Sequence, residues 1–183
     1  MSAFQSSPVD AGAPVHFEDG TEALVRPISP ADSGALLRFH SQLSAGSVRL
    51  RYFNPHPELS SSEVTRFTEV DGIARAALVV ECAHELVAVG RYDQLGDHEV
   101  AEVAFVVADA YQHRGLATML LHRLAAAARS IGIKRFTAEV LAENWAMLSV
   151  FRHAGFPIES KTDQGTVELM MTIAPDLTDT KSD

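Results

Sequence analysis

Six consecutive residues carry the clearest chemistry in this chain: Gln112-His113-Arg114-Gly115-Leu116-Ala117. They lie between a strand-like run, Val100 to Val107, and a helix-like run from Leu116 to Ile131. A glycine-bearing turn that opens a helix presents several unpaired backbone N–H groups, and the helix dipole aims its positive end at the same point. Such a turn cradles phosphate, and Gly115 admits a ligand where a Cβ would block it. His113 and Arg114 are candidate charge partners of that phosphate. The loop is not a P-loop, which needs G-x-x-x-x-G-K-[ST], nor a dinucleotide fingerprint, which needs three glycines. Its spacing alone also fits a strand–turn–helix with an incidental glycine.

Glu102 is the second candidate. Along its strand Val100, Glu102, Ala104 and Val106 share one face, and Ala101, Val103, Phe105 and Val107 the other. A lone carboxylate on an apolar strand face is costly unless used or paired, and a buried one suits a general base. A partly exposed Glu near a strand end, or one paired with an Arg, is the plainer alternative. Asn144 opens the helix after the next strand, either as a simple N-cap or as a polar contact to a ligand between the two strands. Glu139 alternates with Phe136, Ala138 and Val140 and reads as a rim or surface residue. Cys82, the only cysteine, reads as a small core residue, so no disulfide or cysteine-based metal site forms within the chain. The eight histidines show no metal-ligand spacing, so no metal is expected.

Positioning these residues takes an alternation of strands and helices. Thr21 to Arg26 reads as a strand. Ser29, Pro30 and Asp32 form a helix start, with Leu36, Leu37, His40 and Leu43 at helical spacing. Ser60 and Glu63 form a second capping box, before Val64 and Phe67. Ala76 to Glu81 and Leu86 to Tyr92 read as a hairpin turning at His84-Glu85. Leu116, Leu120, Leu121, Leu124 and Ala128 make one helical stripe, and Gly132 ends that helix. Phe136 to Leu141, a helix from Asn144 to Gly155, and Thr166 to Ile173 complete the order β-α-α-β-β-β-α-β-α-β. Central hairpins followed by helical crossovers predict a mixed sheet with helices on both faces. Residues 1–20 read as a flexible leader, 21–174 as one folded domain and 175–183 as a polar tail.

The length of 183 residues suits one domain with a sizeable core. A formal net charge of -9 argues against a nucleic-acid-binding face and suits a cationic partner such as a lysine side chain. No apolar run approaches the roughly 18 residues of a membrane span, and no secretory signal is visible, which with the single cysteine fits a cytoplasmic location.

Together these residues resemble the GNAT superfamily of acetyl-CoA-dependent N-acetyltransferases. The loop matches that family's [RQ]-x-x-G-x-[GA] pyrophosphate pattern, and Asn144-Trp145-Ala146-Met147 to Ala154-Gly155-Phe156 matches its later "N…GF" segment. The resemblance covers about Ala23 to Ile173. Within the family the chain looks like bacterial protein lysine acetyltransferases that modify acyl-CoA synthetases. Leu43-Ser44 through Ser47, Arg49 and Arg51-Tyr52-Phe53 looks like their "LS…S…RFF" region, and Ala101 to Val107 like their central strand with its catalytic glutamate. Those proteins are often fused to a synthetase-like or cyclic-nucleotide-binding domain. This chain has no room for either, so it reads as a stand-alone version or an excised fragment.

The resemblance implies an α/β (α+β) fold with a mixed, mostly antiparallel sheet of about six to seven strands. It implies acetyl-CoA as acyl donor and no metal. Val106 and Val107 would pair with the pantetheine arm, and the backbone of Gln112, His113, Arg114, Gly115, Leu116, Ala117 and Thr118 would hold the pyrophosphate. Asn144 and Phe151 would border the arm's other side. Glu102 would be the general base, acting through water, and an N–H near Val106 would steady the oxyanion. Phe151 stands where many relatives place a tyrosine that protonates the departing thiolate, and a phenyl ring cannot donate a proton. The leaving coenzyme A would then be protonated by water or another group, or leave as thiolate. The acceptor implied is an exposed protein lysine. A small-molecule amine acceptor and a non-catalytic acyl-CoA-binding module are the alternatives, and the oligomeric state is open.

Overall fold

The computed structural model describes residues 12–17 and 19–174. One eight-stranded sheet runs through them in the order β1-β2-β3-β4-β5-β6-β8-β7. The strands are β1 Ala13–His16, β2 Glu22–Pro27, β3 Arg75–Cys82, β4 Glu85–Gln94, β5 Val100–Val107, β6 Arg135–Leu141, β7 Ile158–Asp163 and β8 Thr166–Thr172. The helices are α1 Ser33–Ser41, α2 Ala45–Tyr52, α3 Ser61–Thr68, α4 Leu116–Ser130 and α5 Trp145–Arg152. Every strand pair is antiparallel except β5 with β6.

Two apolar layers flank the sheet. Alternation on β3 sends Ala76, Leu78 and Val80 to one side and Ala77 and Val79 to the other. The first side packs under α4, whose Leu116, Leu120, Leu121 and Leu124 are almost fully buried. Each such leucine contributes roughly 1.5–3 kcal/mol of burial. The second side packs under α1 and α3 through Leu36, Phe39 and Val64. Helix α4 lies close because β4 offers Gly90: a Cβ there would stand 2.8 Å from Phe105 Cδ1 and 3.2 Å from Leu120 Cβ.

Several sequence expectations need correction. The segment read as leader contains β1, which pairs Ala13 with Val25 and His16 with Glu22; its first eleven residues and the tail 175–183 lie outside the described residues. Helix α2 and strand β7 were not anticipated, and the sheet has eight strands rather than six or seven. Helix α2 has little apolar periodicity, and β7 is almost wholly exposed, so neither carries a strong pattern. The Ser29 start opens a 3-10 turn, Pro30–Asp32, before α1. Both Arg26 Nη atoms bond Asp32, at 2.8 and 2.7 Å, which fixes that turn against β2. The Ser60–Glu63 capping box is formed as expected. No helix among the described residues is long and apolar enough to cross a membrane.

Candidate active site

Strands β5 and β6 hold together only at Val100↔Arg135, Ala101↔Phe136 and Glu102↔Thr137. Beyond Glu102 they part, although β5 runs on to Val107 and β6 to Leu141. A cleft of about 520 Å³ opens there, large enough for a sizeable ligand. The cleft-facing edge of β5 from Val103 to Val107 is left without a neighbouring strand. An unpaired strand edge offers N–H and C=O groups to any ligand that carries amides.

The six-residue loop closes one end of the cleft. Gly115 has φ 77°, a conformation that costs any other residue strain. A Cβ on it would meet no protein atom within 4 Å, so that space is free for a ligand. His113 is also left-handed, at φ 61°. The first bond of α4 runs from Met119 N–H to Gly115 C=O (3.0 Å), so the N–H groups of Leu116, Ala117 and Thr118 precede the ladder. They sit at the positive end of a 15-residue helix.

Gln112, His113, Gly115, Leu116, Ala117 and Thr118 all line the cleft, as do Val106, Val107, Asn144 and Phe151. Arg114 differs: its Nη1 pairs with Asp19 at 2.8 Å, and its guanidinium stacks on Phe17 and Tyr111. Asn144 acts as N-cap of α5, its Oδ1 accepting from Met147 N–H at 3.1 Å. Phe151 is buried against Phe105. Glu139, read as a rim residue, is exposed and lines the cleft. Cys82 is buried, and its thiol lies 3.6 Å from Glu22 C=O.

Glu102 lines the cleft where the strands part, but it is exposed rather than buried. The expectation of a carboxylate sunk in an apolar face is thus corrected. The groups beside it explain its setting. Asp93 on β4 is its direct cross-strand partner, so two carboxylates stand side by side. Arg91 bonds Asp93 through Nε at 3.0 Å and lies over the Phe67 ring, and Arg66 reaches Asp93 at 3.5 Å. Arg91 is almost fully buried, and that burial pushes its guanidinium below the ordinary arginine range against the pull of Asp93.

Helix α2 walls the cleft opposite α5 and supplies Ser47, Leu50 and Arg51, with Phe53 just after it. In the sequence alone, only a family likeness points to the α2 segment. Asp109 anchors it. The N–H and hydroxyl of Ser44 donate to Asp109 at 3.0 and 2.7 Å, and the Ser47 hydroxyl donates at 2.8 Å. Burial works against the charge of Asp109, but these bonds outweigh it and hold the carboxyl below its usual range. Gln112 Nε2 donates to Ser47 Oγ at 3.1 Å, tying the loop to the same helix. Arg49 pairs with Glu143, linking α2 to the turn before α5. These partners are 62 to 94 residues apart along the chain, which is why spacing did not reveal them.

Phe53 ends α2 at φ 65°, a strained conformation for a bulky residue, and its ring borders the cleft. Among the described residues no group of three or more His, Cys, Asp or Glu side chains is placed to hold a metal ion.

Comparison with known proteins agrees with this geometry. The GNAT domain of S. lividans PAT superposes with a TM-score of 0.82 at 41% identity, over 88% of this chain and 96% of that one. Acetyltransferase Pat of Mycolicibacterium smegmatis is 28% identical over 165 residues, 88% of this chain and 49% of the relative. The chain therefore spans about half the length of that relative. The yncA protein of Salmonella typhimurium, solved with its cofactor acetyl-CoA, shares the fold at 17% identity, with a TM-score of 0.68 over 85% of this chain and 96% of that one. The family model described as "Acetyltransferase (GNAT) family" matches residues 46–156. With its split sheet, glycine-opened helix and capped α5, this chain belongs to the GNAT family of N-acetyltransferases.

Proposed function

We propose that this protein transfers the acetyl group of acetyl-CoA to a lysine side chain of a protein, with Glu102 as general base. The observation that carries the reading is the parting of β5 and β6 at Glu102, directly upstream of a glycine-opened helix. A substrate that ends in a pyrophosphate and carries amides along its arm fits both features. The N–H groups of His113 to Thr118 hold the pyrophosphate, the edge at Val106 and Val107 takes the arm's amides, and Asn144 and Phe151 border its other side. The thioester then lies near Glu102.

A lysine ammonium is almost wholly protonated at neutral pH, with a reference pKa of about 10.4. Its proton passes to Glu102 through water, and the free amine attacks the thioester carbonyl. A strand N–H near Val106 steadies the oxyanion. The attacking nitrogen loses its second proton to water, and the C–S bond breaks with its electron pair on sulfur, leaving a neutral amide. A thiol with a reference pKa near 8.5 leaves tolerably as thiolate, which suits a site where Phe151 cannot donate a proton.

A protein acceptor is supported by the likeness to S. lividans PAT and to acetyltransferase Pat, and the acidic net charge of -9 suits a cationic target. An acyl-CoA synthetase is the acceptor this likeness suggests. Incubation with acetyl-CoA and an acyl-CoA synthetase, followed by mass spectrometry, should show an acetylated lysine that is absent with Glu102→Gln. Transfer to a panel of small amines, with none to protein, would overturn the lysine acceptor. Acetyl-CoA binding without transfer to any acceptor would overturn catalysis itself.

A further inference from the structure

The three arginines around Glu102 do not have equivalent partners. Arg91 is buried, hydrogen-bonded to Asp93 and stacked on Phe67. Arg66 reaches the same Asp93 carboxylate from α3. Arg51 is half-buried at the end of α2, and among the described residues it makes no ion pair or hydrogen bond. Its guanidinium lies over the Tyr52 ring at 5.0 Å and lines the same cleft as Glu102.

The sheet register explains the arrangement. Asp93 and Glu102 are cross-strand partners on one face, a pairing that is unfavourable without counter-charge. Asp93 receives two guanidiniums, and Arg51, which lines the same cleft as Glu102, pairs with neither carboxylate. The charged and titratable groups around Arg51 are Glu102 on β5, Asp93 and Arg91 on β4, and its neighbour Tyr52. Buried His40 of α1 shares a small cavity with it, and burial favours the neutral form of that imidazole. Burial disfavours the charge on Arg51, while Tyr52, Glu102 and Asp93 favour it.

We propose that Arg51 assists proton removal: from the cleft it shares with Glu102, its positive charge favours the neutral form of the incoming amine. This rests on the reading of Glu102 as base and of an amine as acceptor. An ammonium arriving at Glu102 meets a second cation in a partly desolvated cleft, so its proton leaves more readily, first to Glu102 and then to bulk water. The nitrogen lone pair so exposed forms the C–N bond as the C–S bond breaks. A cation that attracts the base while repelling the protonated nucleophile acts on the step that limits amines at neutral pH.

The test is the pH dependence of kcat for a peptide with one lysine, which reports ionisation in the ternary complex. Arg51→Met should move the profile alkaline by roughly one pH unit and lower kcat at pH 7 about tenfold. Acetyl-CoA affinity and melting temperature should stay close to wild type, and Arg51→Lys should keep the wild-type profile. Replacing the peptide lysine by the less basic S-aminoethylcysteine should shrink the defect. Arg51→Gln serves if the Met variant does not fold. A profile that coincides with wild type, or a loss that persists undiminished at high pH and with the less basic amine, overturns the proposal. Glu102→Gln run in parallel reads the base separately. The amine must lose a proton whichever group accepts it, so the Arg51 shift is measurable even if Glu102 proves dispensable.

Discussion

The two walls of the cleft are built by different means. The wall formed by the 112–118 loop, the free edge of β5 and α5 presents mostly backbone: N–H groups at a helix start, an unpaired strand and a capped helix. The other wall, from α2 and the start of β5, presents side chains: Ser47, Leu50, Arg51, Phe53 and Glu102, with Asp93 and Arg91 of β4 behind Glu102. A backbone wall suits a donor that every family member shares, because it asks little of individual side chains. A side-chain wall can be changed one residue at a time, and it is there that the proposed base and acceptor contacts lie. Asp109 and Gln112 join the two walls through Ser44 and Ser47.

This division can be broken most sharply at Glu102. Glu102→Gln should lower kcat by roughly 10² to 10⁴ and leave acetyl-CoA affinity nearly intact, as single-turnover kinetics and calorimetry would show. Turnover unchanged at neutral pH would sink the base assignment. On the other wall, Gly115→Val should do the reverse. It forces a branched residue to φ 77° and fills the space beside Gly115, so acetyl-CoA Kd should rise about five- to thirtyfold, from a penalty of ~1–2 kcal/mol. A donor affinity within twofold of wild type would show that the loop does not hold the donor.

The link between the walls should give a smaller effect. Asp109→Ala removes the acceptor of three hydrogen bonds from Ser44 and Ser47, so α2 loosens. Acceptor KM should rise about three- to tenfold, with acetyl-CoA Kd changing less. Equal effects on both substrates would mean that the two walls are one unit.

The smallest effect is on stability. His40 is buried with no partner for Nε2, and burial holds its pKa below the ordinary histidine value. The unfolded chain therefore takes up a proton near the ordinary value of about 6.5, where the folded protein resists it. Stability should fall as pH drops below about 6.5 and flatten once the folded protein also protonates. Melting temperature measured from pH 7.5 to 5 should be less steep in His40→Gln. An identical slope would assign the acid sensitivity to other groups.

Much of the backbone wall was legible in the sequence. The loop, its glycine, the strand before it and the capping residues Ser60 and Asn144 act locally, over three or four residues, so their spacing carries their meaning. The side-chain wall was not legible, because its partners meet only through sheet register and helix packing. Asp93 faces Glu102 through the β4–β5 pairing, and Asp109 reaches Ser47 across 62 residues. Exposure misled the reading of Glu102, since alternation shows which face a residue shares but not whether a helix covers it. The bond from Arg114 to Asp19 joins residues 95 positions apart, so spacing did not reveal it.

The seam between β5 and β6 has a mechanical consequence. Among the described residues, only three backbone ladder pairs join strands β1–β5 to strands β6–β8. The sheet is in effect two panels stitched at one corner, with α4 and α5 packed across the join. On the proposed reading, an acyl donor lying along the free edge would act as the missing stitching. Its binding free energy would then also be cohesion between the panels, so donor binding should raise the melting temperature of both together.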